Sequence, residues 1–160
     1  MQFHQRAAAA RPRLYPESDL VSWVEPGSGL IRVLGRGQWC EAQVAVHFTA
    51  LRNLILQRRA EGGGVRVMVD LRESEVQDMG TAERIGRGTS TLYAQQDRVA
   101  IIVESSTLRS QLKTAVAFDN LAFFLSPTAA RIWLNAMWLS TQPEGQAPRG
   151  AEPSRWLMPA

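Results

Sequence analysis

Asp70 ends an apolar run, Val65 to Val69, and a carboxylate in that position can accept a phosphoryl group when neighbouring acids hold magnesium and a lysine steadies the charge. Those helpers are missing. Val24 is followed by the single acid Glu25, and Leu125 by Ser126-Pro127. Cys40 and His47 are the thiol and imidazole from which a nucleophile and its base could be built. Seven residues apart on one predicted helix, they stand about 10 Å apart along its axis, beyond the hydrogen-bond reach that the mechanism needs. One Cys and one His also fall short of a four-ligand zinc site, so no metal is expected. Ser105 to Thr107 with Arg109 could hold an anion at a helix start, although a serine there is also an ordinary helix cap. Gly86-Arg87-Gly88 has two glycines of a dinucleotide loop, but Thr91 replaces the third and the segment lies within a helix rather than after a strand. The residue types therefore predict no catalytic set, no metal and no cofactor. An enzyme using Asp70 with Ser105 is the weakest reading.

The elements that must position these residues follow from hydrophobic spacing. Leu20 to Val24 and Leu30 to Leu34 flank Glu25-Pro26-Gly27-Ser28-Gly29, the turn chemistry of a hairpin. From Trp39 to Ala60 the period becomes helical, with Val44, Phe48, Leu51 and Ile55 on one stripe, and Gly62-Gly63-Gly64 ends it. Val65 to Val69 reads as a strand buried on both faces, followed by a loop from Leu71 to Asp78. Ala82, Ile85, Thr89, Leu92 and Tyr93 trace a second helix, in which Gly80, Gly86 and Gly88 suggest close packing. Val99 to Val103 is a strand, and Leu108, Leu112 and Val116 form the stripe of a third helix. Leu121 to Leu125 is the last strand. Ser126-Pro127 then caps a helix with Ala130, Trp133, Leu134, Met137 and Trp138 on one face. The order β-β-α-β-α-β-α-β-α predicts an α/β fold: one five-stranded mixed sheet, with an antiparallel hairpin followed by parallel strands, and about four helices on its faces. In such sheets ligands gather beyond the carboxyl ends of the parallel strands.

A chain of 160 residues, 45% hydrophobic and 21% charged, supports one domain with a substantial core. The pI near 9.7 reflects a net charge of +3, of which the segment 1–17 alone carries +2 through Arg6, Arg11 and Arg13 against Glu17. Residues 18–140 hold thirteen basic and twelve acidic side chains without a basic cluster, so no nucleic-acid partner is expected. Residues 1–17 read as a disordered basic tail, 18–140 as the domain, and 141–160 as a proline-rich carboxyl tail containing the apolar Trp156-Leu157-Met158. No apolar run approaches the roughly 20 residues of a membrane span. A single cysteine and the lack of a leader-like apolar segment predict a cytoplasmic protein.

Several segments carry a family resemblance: Gly37-Gln38-Trp39, Val67-Met68-Val69-Asp70-Leu71-Arg72, Asp97-Arg98-Val99-Ala100-Ile101, Phe118 to Phe124, and Ala129-Ala130-Arg131-Ile132-Trp133-Leu134. Over Leu20 to Leu139 the chain resembles STAS-type domains, the fold of bacterial anti-sigma-factor antagonists, and more closely the SpoIIAA-like or STAS/SEC14 group of small bacterial proteins. That resemblance implies a non-enzymatic regulatory module whose partner is another protein. In the antagonist branch a serine in an Asp-Ser-Ser-Gly segment is phosphorylated by the partner kinase. The matching segment here is Asp78-Met79-Gly80-Thr81, which puts Met79 and Gly80 where the serines would be. Ser74 and Thr81 are then the candidate phosphoacceptors, and the third reading is a phosphoswitch-regulated, antagonist-like protein.

The leading expectation is a protein-interaction module that binds through Arg72, Ser74, Asp78, Gly80, Thr81, Arg84 and Arg87. The alternative is a carrier or sensor of an apolar small molecule or lipid, with Phe124, Trp133, Met137 and Trp138 lining a pocket under the last helix.

Overall fold

A computed structural model of the chain describes residues 18–116 and 118–141, with side chains as far as residue 136. Its elements are β1 (Asp19–Val24), β2 (Ile31–Gly37), α1 (Glu41–Ala60), β3 (Arg66–Ser74), α2 (Met79–Leu92), β4 (Arg98–Ile102), α3 (Ser106–Ala115), β5 (Leu121–Phe124) and α4 (Pro127–Thr141). They form the expected five-stranded mixed sheet in the order β1-β2-β3-β4-β5. β1 is antiparallel to β2, and all the other pairs are parallel. Gly27 and Gly29, at φ of 83° and 67°, supply the left-handed backbone that the β1–β2 turn requires, and Glu25 N donates to Leu30 O across it.

The strand order follows the chain without reversal. Three right-handed crossovers that advance in the same direction must place their helices on the same face, so α1, α2 and α3 share one side of the sheet. There Val44, Leu51 and Ile55 of α1, Leu92 of α2, and Leu108 and Leu112 of α3 meet Ile31, Val33, Val67, Val99 and Ile101. Among the described elements α4 alone covers the other side, packing Ala130 and Leu134 against Met68, Ala100 and Ile102. Each fully buried Leu or Ile in these two layers is worth roughly 1.5–3 kcal/mol, so the pair of layers supplies the main driving force.

A ligand crevice at the carboxyl ends of parallel strands arises where the strand order reverses and neighbouring helices part to opposite faces. The described strands follow the chain in order, so no such switch point is formed among them. Four boundaries differ from those expected. β2 runs on to Gly37 and β3 to Ser74, because Arg36 pairs with Glu73 and Gly37 with Ser74 beyond an irregularity at Leu34/Arg36; the predicted loop from Leu71 is strand as far as Ser74. Trp39 and Cys40 precede α1 rather than opening it. Cys40 is the N-cap, its backbone N–H held by Gln43 Oε1 at 3.0 Å, while the Trp39 indole donates to Asp19 O and Arg36 O at 2.9 and 3.0 Å. Tyr93 ends α2 in extended backbone, as its C-cap.

Candidate functional site

The loop after β3 is held by Gln77, which is 4% exposed. Its side chain accepts from Trp39 N at 2.7 Å and donates to Gly37 O and Glu75 O, while its backbone exchanges two hydrogen bonds with Gln111 of α3 at 2.9 and 2.6 Å. The side chain of Gln77 thus ties the end of β2 to the entry of α1, and its backbone joins both to the face of α3. Neither glutamine stands out in the sequence. The only signal available is the place of Gln77, directly before the helix-capping Asp78.

Asp78 caps α2: Oδ1 accepts from Thr81 N at 2.9 Å and Oδ2 from Thr81 Oγ1 at 2.7 Å, and the backbone hydrogen bond holds the carboxyl below its ordinary pKa. Thr81 is 1% exposed and its hydroxyl also faces Trp39 O at 3.4 Å. Ser74 is buried as well, and its Oγ has no hydrogen-bond partner. Both candidate phosphoacceptors are therefore buried, Thr81 in the first turn of α2 and Ser74 beside Gly35 at the end of β3. Gly80 rests beside the Glu41 carboxylate, which Arg84 pairs at 3.3 Å.

Arg72 stands apart from this group. Its guanidinium clamps Asp70, Nε to Oδ1 at 3.0 Å and Nη2 to Oδ2 at 2.7 Å, with Arg72 N donating to Oδ1 at 3.2 Å. These bonds hold Asp70 below the usual carboxylate range and raise Arg72. Asp70 shares the parity of Met68 and belongs to the α4 side of the sheet. Ser105 Oγ accepts from Leu108 N at 3.2 Å as the cap of α3. The structure gives Asp70 and Ser105 separate partners.

Between α2 and α3 lies an open groove of about 1210 Å³. One wall is Met79, Glu83, Gly86, Arg87 and Ser90, the other Thr107, Ser110, Gln111, Thr114 and Ala115. Both walls repeat at three- and four-residue spacing, so each helix turns a second, small and polar stripe toward the other beside the apolar stripe it buries. A Cβ on Gly86 would stand 2.2 Å from Ala115 O, so glycine sets how closely the helices approach. Met79 is 78% exposed at the mouth. Of the predicted binding residues, Gly80, Arg84 and Arg87 gather along α2 with Asp78 at its cap, while Arg72 faces another part of the surface.

On the α4 side, Phe124 and Trp133 pack ring to ring at 5.6 Å within the smaller core layer. The side chains of Met137 and Trp138 lie outside the described residues. A small apolar pocket lies across the sheet instead, under α1, α2 and α3. It measures about 70 Å³ and is lined by Phe48, Leu51, Ile85, Tyr93, Leu112 and Val116, among others. It is less than half the roughly 150 Å³ of an engineered cavity that takes up benzene. Among the described residues no cluster of three or more His, Cys, Asp or Glu could hold a metal ion, and no helix is long and apolar enough to cross a membrane.

No family model matches the chain, and no curated protein matches it in sequence. Its structure is similar to that of an uncharacterized protein from the DUF3478 family with a SpoIIAA-like fold from Shewanella loihica PV-4, with a TM-score of 0.54 and 14% identity over 74% of this chain and 96% of that one. It is also similar to an anti-sigma factor antagonist from Mycobacterium paratuberculosis, with a TM-score of 0.50 and 13% identity over 73% of this chain and 95% of that one. The resemblance read from the sequence holds for the fold: the sheet and its four helices are SpoIIAA-like.

Proposed function

We propose that residues 18–140 form a non-enzymatic, STAS-type regulatory module of the cytoplasm that works by binding another protein in the groove between α2 and α3. The observation that carries this reading is the groove itself, where largely polar stripes of α2 and α3 face each other beside an exposed Met79. An apolar residue ringed by polar ones is the surface pattern of a protein contact. The Gln77–Gln111 exchange and the Asp78 cap hold the mouth in shape before a partner arrives, which lowers the ordering cost of binding. An anti-sigma factor antagonist among the similar structures supports the same choice of partner class. Asp70 and Ser105, the residues of the enzymatic reading, are engaged in an ion pair and a helix cap.

Native mass spectrometry of the protein isolated from its own cells tests this. A protein adduct on the wild-type chain that disappears in Met79→Glu and Arg87→Glu is the expected result. A small apolar adduct that both variants retain, with no protein bound, would replace this reading with the carrier.

A further inference from the structure

Among the described strands β1 is an edge of the sheet, and it lacks the devices that keep an edge from pairing. Its six residues include no proline and no lysine, and Asp19 at its start is its single charge. Val21 and Trp23 are 47% and 40% exposed. The Glu25–Leu30 hydrogen bond fixes the phase of the ladder: Asp19, Val21 and Trp23 turn their backbone groups to β2, so Leu20, Ser22 and Val24 turn theirs to the open side. Beside that edge α1 presents Ala42, Val46 and Ala50 at four-residue spacing. With Leu20, Ser22 and Gln43 they line a groove of about 530 Å³ that contains no charged side chain. Val46 is 71% exposed at its centre.

We propose that a second copy of this chain occupies this edge, with β1 antiparallel to β1 of the partner about a two-fold axis through Val21. The two sheets then join into one of ten strands with both α1 helices on the same face. Such an axis must pair residues of like parity, because opposed residues in an antiparallel ladder point to the same side. Centred on Val21, the register joins Leu20 to the partner's Ser22 and Ser18 to the partner's Val24, twice each, using all the outward backbone groups of the strand. The two exposed valines of β1 meet on the axis, and the small stripe of each α1 faces the other, where short side chains allow a close helix approach.

Charge selects this register over its neighbour. Among the described residues, no hydrogen bond or ion pair of the Asp19 carboxylate is found. Centred on Val21, Asp19 stands opposite the partner's Trp23, and in each protomer Arg32 lies 5.8 Å over the Trp23 ring. Arg32 and Arg131 share the one carboxylate of Glu25, so this corner carries surplus positive charge that Asp19 of the other protomer neutralises, once on each side of the axis. Sliding the centre to Ser22 would instead oppose Asp19 to the partner's Glu25, which is repulsive.

Sedimentation velocity of the full chain over a series of concentrations tests the proposal, together with hydrogen exchange at the Leu20, Ser22 and Val24 amides. The wild type is expected to move from 17.8 kDa toward twice that mass, with these amides slowing in step. Ser22→Pro removes only an N–H that faces the open edge. Val46→Arg places like charges across the axis from an exposed site. Both should stay at the mass of one chain while keeping the wild-type circular dichroism spectrum and cooperative melting. A wild type that stays at one chain mass throughout, a dimer that tolerates Val46→Arg, or amides already protected in the monomer because another part of the chain covers the edge would each overturn it.

Discussion

His47 stands on the buried stripe of α1, 7% exposed and edge-on to Phe48 at 5.5 Å, with no hydrogen-bond partner for Nδ1. Desolvation lowers its pKa from 6.5 to about 4, so the folded protein holds a neutral imidazole where the unfolded chain would already be charged. Between those values only the unfolded state takes up the proton. Stability is therefore full above pH 6.5 and falls as the pH drops through that window, by about 3 kcal/mol once it reaches 4. Urea midpoints at pH 7.5 and 4.5 should show the drop for the wild type and a clearly smaller one for His47→Phe; equal drops would remove His47 as the cause. Glu25 acts in a lower window. Hydrogen bonds from Arg131, with help from Arg32, bring its pKa from 4.5 to about 2, so its contribution is complete above 4.5 and is lost only as the pH falls toward 2. In Arg131→Met the Glu25 carboxyl, followed by NMR, should titrate well above 2 and toward 4.5. A midpoint that does not move would mean that Arg32 alone holds it.

Among the elements, α2 shows how a poor helix former can be the right residue. Glycine costs roughly 1 kcal/mol relative to alanine in a helix, and α2 carries three. Two of them differ in what surrounds them. At Gly86 an added Cβ would press on the backbone oxygen of Ala115, which can yield only if α3 moves, whereas at Gly80 it would meet the tip of Glu41, a flexible and half-exposed side chain. Chemical denaturation should therefore find Gly86→Ala destabilised by about 2 kcal/mol and Gly80→Ala unchanged or up to about 1 kcal/mol more stable. The reverse order would show that the α2–α3 contact does not set the groove. The glycines were legible as a sign of close packing, but their separate neighbours were not, because spacing along one helix does not encode the backbone of another. The extension of β3 to Ser74 was hidden for a similar reason. Arg72 and Glu73 break the apolar pattern, and the strand continues because β2 is there to pair with it.

At the scale of the molecule, the described residues build two core layers, and every strand finds its neighbour between Asp19 and Phe124. A fragment of residues 18–141 should therefore melt cooperatively with the circular dichroism spectrum of the full chain. Loss of cooperativity would place part of the core outside it. The same architecture separates the expected functions. Of the expected binding residues, Arg87 lines the α2–α3 groove and Arg84 pairs with Glu41 of α1, whereas Arg72 clamps Asp70 on the α4 side and the aromatic pair Phe124–Trp133 packs under α4.

Hydrophobic period and punctuation in the sequence determined that strands and helices alternate, that the first two strands form a hairpin and the rest run parallel, and that Ser105 and Ser126 cap helices. Each of these is a property of neighbours along the chain. Only the tertiary structure decided that three helices share one face and α4 covers the other, that the hydroxyls of Ser74 and Thr81 turn inward, that Asp70 is clamped by Arg72, and that Gln77 and Gln111 lock the mouth of the groove. A periodic pattern says which side of an element is buried but not what lies against it, and partnership between distant segments is fixed by how whole elements pack.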